Sequence, residues 1–337
     1  MTVLLMTASS LLHDRVVPRC AAVGVGVDHR SDPTSALATW SAVDLVLVGE
    51  DLAPVLAGLA PPRRSGVHLV TAQPSEVVFR AAVALGAESV LDLDAEPEGL
   101  SAVLADVGER SSPGRVVGVV GGAGGAGATT LACALAQWWG TRGPTLLVDA
   151  DPLGPGLDRL LGLEDDPGVR WEHLAGTTGR LGARELREAV PRRGWLGVLT
   201  WSASGTRPDQ ATVGRVLAAA VRGHDLVVLD LPRHAGAALG GLAERCDDLL
   251  VTTPATVPGL AATARLVADL GVLDRAGLVL RPGGVGDADA ERVTGLPVLI
   301  CVRDQRGLGE ALDRGAGPLT GRGPLARAAR TLLAGAA

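Results

Sequence analysis

Short apolar runs separated by amphipathic stretches recur along the whole chain. In its first third, VLLM (residues 3–6), DLVLVG (44–49), VHLVTA (67–72) and ESVLDL (88–93) have strand length, and their mostly apolar character is that of parallel strands covered on both faces. Between two of them, Val77, Val78, Ala81, Ala82 and Leu85 recur at helical spacing. The polar segment GERSSPGR predicts a linker over 108–115, which divides a domain over 1–107 from one over 116–337. The second series opens with RVVGVVGGAGGAGATTLACALAQWW and continues through apolar runs at 145–151, 195–201, 225–232, 247–254, 276–282 and 296–302. Helical segments such as 210–222 and 255–270 fill the gaps. Strands alternating with helices in this way predict a doubly wound, mainly parallel α/β sheet. No repeat of solenoid length interrupts the pattern.

Composition narrows the chemistry. A chain of 337 residues suits two domains, and 47% hydrophobic with 20% charged residues excludes a disordered chain. No window reaches the ~20 apolar residues of a transmembrane segment, and no basic region precedes the first apolar run. The expectation is a soluble, cytoplasmic protein. Net charge is -6 and aromatics make up 2%, so there is neither the basic field nor the stacking surface for specific nucleic-acid binding. Cys20, Cys133, Cys246 and Cys301 lie far apart without a CxxC, which predicts buried thiols in a reducing compartment. The six histidines show no HxH or HExxH spacing. All 31 basic residues are Arg, and Asn and Tyr are also missing. Drift toward GC-rich codons is one account of that bias; whatever its origin, no lysine of this chain can serve in a mechanism.

The strongest chemical signal is GGAGGAGATT (121–130) between a buried strand and a helix expected to open at Thr129. Glycines let backbone N–H groups turn inward around a phosphate, and the following helix N-terminus adds its dipole. The candidate cradle comprises Gly122, Ala123, Gly124, Gly125, Ala126, Gly127, Ala128, Thr129 and Thr130. Downstream, one strand ends in Asp149-Ala150-Asp151-Pro152 and another in Asp230-Leu231-Pro232; in doubly wound sheets, carboxyl ends of strands face the ligand crevice. Asp230 suits a Mg2+ ion held through water, with Thr129 as a direct ligand, while Asp149 or Asp151 could orient an attacking water. Each aspartate could instead cap the next helix.

These segments resemble the MinD/ParA-type deviant Walker A ATPases, within the signal-recognition, MinD and BioD class of P-loop proteins. Residues 123–129 read AGGAGAT where those proteins read KGGxGKT/S; VDADPLGPGLDRLLG (148–162) is similar to their switch I, LVVLDLP (226–232) to switch II, and 247–270 to the strand and helix that follow. The likeness spans 115 to about 320. GLPVLICVRDQRGLGEALDRGAGPL (295–319) resembles the closing segment of the CpaE/TadZ branch of pilus-assembly proteins, including actinobacterial septum-site-determining or CpaE-like members. Those often carry a receiver-like, flavodoxin-like N-terminal domain, which the pattern over 1–107 matches.

The resemblance implies ATP and Mg2+ as ligands, a homodimer, cell-division or pilus/secretion assembly proteins as partners, and placement at a pole or septum. The chain departs from it in the cations. The family's two loop lysines fall on Ala128 and Ala123, and the strand-end asparagine that reads adenine falls near Leu280-Arg281. A phosphorylated Asp of a receiver would fall on Gly49, followed by Glu50 and Asp51; Thr7-Ala8-Ser9 follows the first strand, Thr71 matches the switch Thr, and the receiver lysine falls near Leu93. The expectation is a pseudo-receiver joined to a P-loop domain with a degenerate Walker A loop, where ATP and Mg2+ bind weakly without efficient turnover or not at all in a vestigial site, acting as a localisation adaptor. The alternative is a slow ATPase that switches dimerisation. Arg233 is a substitute cation to consider, though its position predicts a solvated loop residue. The tail GRGPLARAARTLLAGAA is expected to cover the sheet rather than bind a membrane.

Overall fold

Side chains alternate in facing along a strand, and in this chain both facings are apolar, so each sheet is sandwiched between two cores. The computed structural model describes residues 2–43, 45–64, 66–95, 99–101, 103–104, 113–177, 181–202, 206–233, 241–271, 273–319 and 321–334. The chain divides into two compact units, Met1–Ser111 and Ser112–Ala337.

In the first unit, strands β1 (Thr2–Met6), β2 (Gly26–Arg30), β3 (Leu45–Gly49), β4 (Val67–Thr71) and β5 (Ser89–Asp92) form a parallel sheet in the order β2-β1-β3-β4-β5. Val3, Leu5, Leu45 and Leu47 pack into one core, and Leu4, Met6, Val46 and Val48 into the other. The helix Ser10–Ala22 starts at Ser9, whose hydroxyl accepts from the Leu12 amide, and the helix Glu76–Leu85 starts likewise at Ser75.

The second unit comprises β6 (Arg115–Gly121), β7 (Thr145–Asp149), β8 (Arg192–Arg193), β9 (Leu196–Leu199), β10 (Leu226–Leu231), β11 (Asp248–Pro254), β12 (Ala276–Arg281) and β13 (Val298–Cys301). Their order is β13-β12-β11-β6-β10-β7-β9-β8, parallel throughout except for the short antiparallel β8–β9 pair. The chain fills one side of β6 with β7 to β10, the last returning to lie between β6 and β7, then crosses to the other side at β11, so the C-terminal end of β6 lies at the switch point where such sheets bind ligands. Val116 and Val120 face one core while Val117 and Val119 face the other. The helix Ala128–Trp139 buries Leu131 to Ala136 in the second of these. There it meets the helix Pro324–Leu332, whose Leu325, Ala328 and Ala329 are buried together with Leu333. The terminal amphipathic face therefore covers the sheet. Among the described residues, no helix is long and apolar enough to cross a membrane.

Three expectations are corrected. β6 already includes Arg115, which the pattern assigned to the linker, while 108–112 lie outside the described residues. The helix after the glycine loop opens at Ala128 rather than Thr129. Cys301 is exposed on β13, the outermost strand of its side, whereas Cys20, Cys133 and Cys246 are buried.

Candidate functional site

The loop that follows β6 turns on glycine. Gly125 (φ 70°) and Gly127 (φ 88°) adopt left-handed backbone that a residue with Cβ takes only at a cost. The Gly122 amide donates to Thr252 O on β11 at 2.8 Å and the Ala126 amide to Ala123 O at 3.3 Å, fixing the ends of the turn. No side chain caps the helix Ala128–Trp139 at Gly127, so the first amides of that helix, Ala128, Thr129 and Thr130, lack intrahelical acceptors and remain available to an anion. A Cβ at Gly124 or Gly125 would meet nothing within 4 Å, so this part of the loop faces open space. Ala123 and Ala128 are half-buried and bring no charge to it.

The acids gather beside this loop. Asp230 and Asp149 are register partners on adjacent β10 and β7, and both are buried. Burial pushes Asp230 up to about 7, with Asp149 and Asp151 adding like charge and a hydrogen bond from Thr129 opposing. Burial likewise pushes Asp149 up to about 6, against hydrogen bonds from Thr200 and the Asp151 amide. Thr200 Oγ1 donates to Asp149 Oδ2 at 2.7 Å, and the Asp151 amide to Asp149 Oδ1 at 3.0 Å. Both Asp149 oxygens are thus engaged. Asp151 is half-exposed, and its Oδ1 accepts from the Leu153 amide at 2.9 Å. The structure therefore joins Thr129 to Asp230 and sets Asp149 beside them, while Asp151 is the acid that reaches solvent.

Several contributors had no motif to announce them. Trp171 and Trp201 stack with ring centroids 5.6 Å apart, and both indole N–H groups donate to Asp149 O, at 2.8 and 3.0 Å. They hold the strand end that carries both acids. Thr200, immediately after β9, was legible only as a polar residue at a strand end. Arg233 is exposed, as its loop position predicted, and His234 lies outside the described residues. A shallow cleft, open to solvent, runs from Ala126, Gly127 and Thr130 of the loop to Arg281, Arg303 and Gln305 across the strand ends.

At the corresponding end of the first sheet, Gly49 closes β3. A Cβ there would collide with the Asp51 carboxylate and come within 2.7 Å of Thr7 Oγ1. Asp51 instead accepts from Thr7 Oγ1 (2.8 Å) and from the Ala8 and Ser9 amides (2.6 and 3.1 Å), while the Thr71 hydroxyl donates to Glu50. Asp51 thus serves as acceptor for the segment after β1 and Glu50 for the end of β4.

Comparison with known proteins follows the two units. A family described as Rv3660c-like, CheY-like N-terminal domain matches residues 6–115. Over nearly the whole chain, protein Rv3660c of Mycobacterium tuberculosis H37Rv is 37% identical, across 333 residues that cover 96% of this chain and 94% of that one. Among solved structures, a ParA family ATPase from Chlorobium tepidum superposes with a TM-score of 0.58 at 19% identity, over 66% of this chain and 99% of its own. MinD of Pyrococcus horikoshii, solved as a complex with Mg-ADP, gives 0.52 at 21%, over 65% and 93%. At these identities the structural likeness establishes the fold, a MinD/ParA-like parallel-sheet α/β domain. By its identity to Rv3660c along almost its entire length, the chain belongs to the Rv3660c-like family, with a CheY-like domain ahead of a MinD/ParA-like one.

Proposed function

We propose that this protein is a spatial regulator, a localisation adaptor for septum placement or for pilus or secretion machinery, of the CpaE/TadZ-like kind, whose degenerate Walker A loop binds nucleotide without efficient turnover. The observation that carries the reading is the pairing of an intact geometry with missing charge. The glycine turn, free helix amides, Thr129 and the buried Asp149–Asp230 pair are all present, yet Ala128 and Ala123 stand where lysines would stabilise the transferred phosphoryl group.

The residues present fit a magnesium nucleotide. Gly124 to Thr130 would hold the phosphates, and Thr129 with Asp230 the ion, which supplies charge neutralisation on the phosphate oxygens. Two buried acids with raised pKa, with no cationic side chain among the described residues shifting them, form a site of the kind that a divalent ion completes. Without lysine, a charge-assisted contact worth ~1.5 to 3 kcal/mol is lost from binding, and stabilisation of transition-state charge falls with it. The first domain contributes surface rather than phosphoryl chemistry, since Gly49 has no carboxylate and Asp51 and Glu50 are committed to Thr7 and Thr71.

The partners are cell-division or pilus/secretion assembly proteins at a pole or septum, with a homodimer as a further assembly of the chain. The retained acids support the second reading, a slow ATPase that switches dimerisation. Equilibrium binding of a fluorescent ATP analogue with and without Mg2+, beside a turnover assay sensitive to slow hydrolysis, separates the two. Binding without turnover is expected. Robust hydrolysis abolished by Asp151→Ala would establish the enzyme.

A further inference from the structure

We propose that Arg281 supplies the cation of the phosphate cradle, from across the sheet, and binds the phosphate chain of a nucleoside polyphosphate in place of the absent loop lysines. This rests on the reading of the glycine loop as a nucleotide site and adds to it the residue that holds the anion. Arg281 ends β12, two strands from β6. Its side chain extends back along the strand ends until Nη1 lies 3.0 Å from where a Cβ on Gly127 would be, at the start of the helix whose first amides are free. A Cβ at 127 would crowd the guanidinium, and the left-handed backbone there favours glycine as well.

Arg281 is also held for the task. Its Nη2 pairs with Asp304, which is 83% exposed and fixes the guanidinium from the solvent side. Nε is buried and has no hydrogen-bond partner among the described residues. A planar guanidinium with an unpaired Nε and with Nη1 set beside free backbone amides is complementary to phosphate oxygens, which accept N–H groups of such a fork. Arg303 lines the same cleft and adds a second positive charge at its mouth. Val279, Leu131, Val302, Leu308 and Leu325 supply an apolar wall, suited to the nucleoside end of the ligand.

The test is an equilibrium titration of the full chain with a fluorescent ATP analogue, with inorganic triphosphate and adenosine as competitors. The assignment predicts that triphosphate displaces the analogue from the unmodified protein and adenosine does not. It also predicts that Arg281→Gln weakens analogue and triphosphate alike by about tenfold or more, with an unchanged melting temperature, and that Ala128→Lys in the same chain recovers most of the loss. Displacement by adenosine but not by triphosphate would overturn the phosphate role without requiring a variant to fold. Undiminished binding by folded Arg281→Gln would overturn the Arg281 assignment and leave the nucleotide reading standing. Failure of the unmodified protein to bind either the analogue or triphosphate would overturn both.

Discussion

Asp149 and Asp230 sit opposite one another in register on β7 and β10, both buried, and burial raises both carboxyls, to about 6 and about 7. Their neutral forms are therefore favoured by folding. The resulting stabilisation is complete below the ordinary value of 3.8 and is lost as pH rises through about 6 and about 7. Asp230→Asn keeps the shape and removes the ionisation. Its melting temperature should match the unmodified protein near about pH 4 and exceed it by several degrees near about pH 8, at roughly 2–4 °C per kcal/mol for a unit of this size. Thermal melts across that range check it. A variant less stable than the parent at the alkaline end would contradict the account.

Ala128→Lys returns a lysine to the first turn of the helix Ala128–Trp139, where position 128 is half-buried beside the open loop. Binding of a fluorescent ATP analogue should tighten by about tenfold or more, from a charge-assisted contact of ~1.5 to 3 kcal/mol. No tightening would argue that the glycine loop does not cradle phosphate.

The first domain should take no phosphoryl group from acetyl phosphate, as read by intact mass. Gly49 has no carboxylate, and a Cβ at that position already collides with Asp51. Asp51→Ala should lower the melting temperature modestly, because Thr7 Oγ1 and the Ala8 and Ser9 amides lose an acceptor, at about 0.5–1.5 kcal/mol for a typical hydrogen bond. A phosphoryl adduct mapped to Glu50 or Asp51 would instead show that one of these carboxylates is available as an acceptor.

Trp201→Phe keeps an aromatic ring against Trp171 and removes one of the two indole donors to Asp149 O. A small loss of stability, about 0.5–1.5 kcal/mol for one hydrogen bond, is expected. If nucleotide binding moves the segment from Asp149 to Leu153, the intrinsic fluorescence change on adding Mg-ATP should shrink in this variant. An undiminished change would place the reporter at another tryptophan.

Much of this architecture was legible because parallel strands buried on both faces are written as apolar runs, as in Leu45–Gly49 and in Leu226 to Leu229 ahead of Asp230. Two strands escaped that signal. β2 reads GVDHR and is partly exposed at the sheet edge, and β8 is two exposed arginines paired antiparallel to β9. The glycine loop and the acidic strand ends announced the candidate site, since glycine and aspartate are needed there for backbone and charge. Arg281 was visible only as the occupant of a position where asparagine was expected, and its approach to Gly127 depends on the order β12-β11-β6, which local sequence does not encode. The Trp171–Trp201 clamp on Asp149 O escaped for the same reason, because it joins residues 22 and 52 positions away to one carbonyl.

The most direct test of the positioning role is imaging of a fluorescent fusion of the full chain, at native expression, beside one lacking residues 1–107. The account predicts a focus at a pole or division site for the full chain, and weakened or lost foci once the receiver-like domain is removed. Diffuse signal from the full chain would contradict the role itself, and unchanged foci after the deletion would contradict recruitment through the first domain.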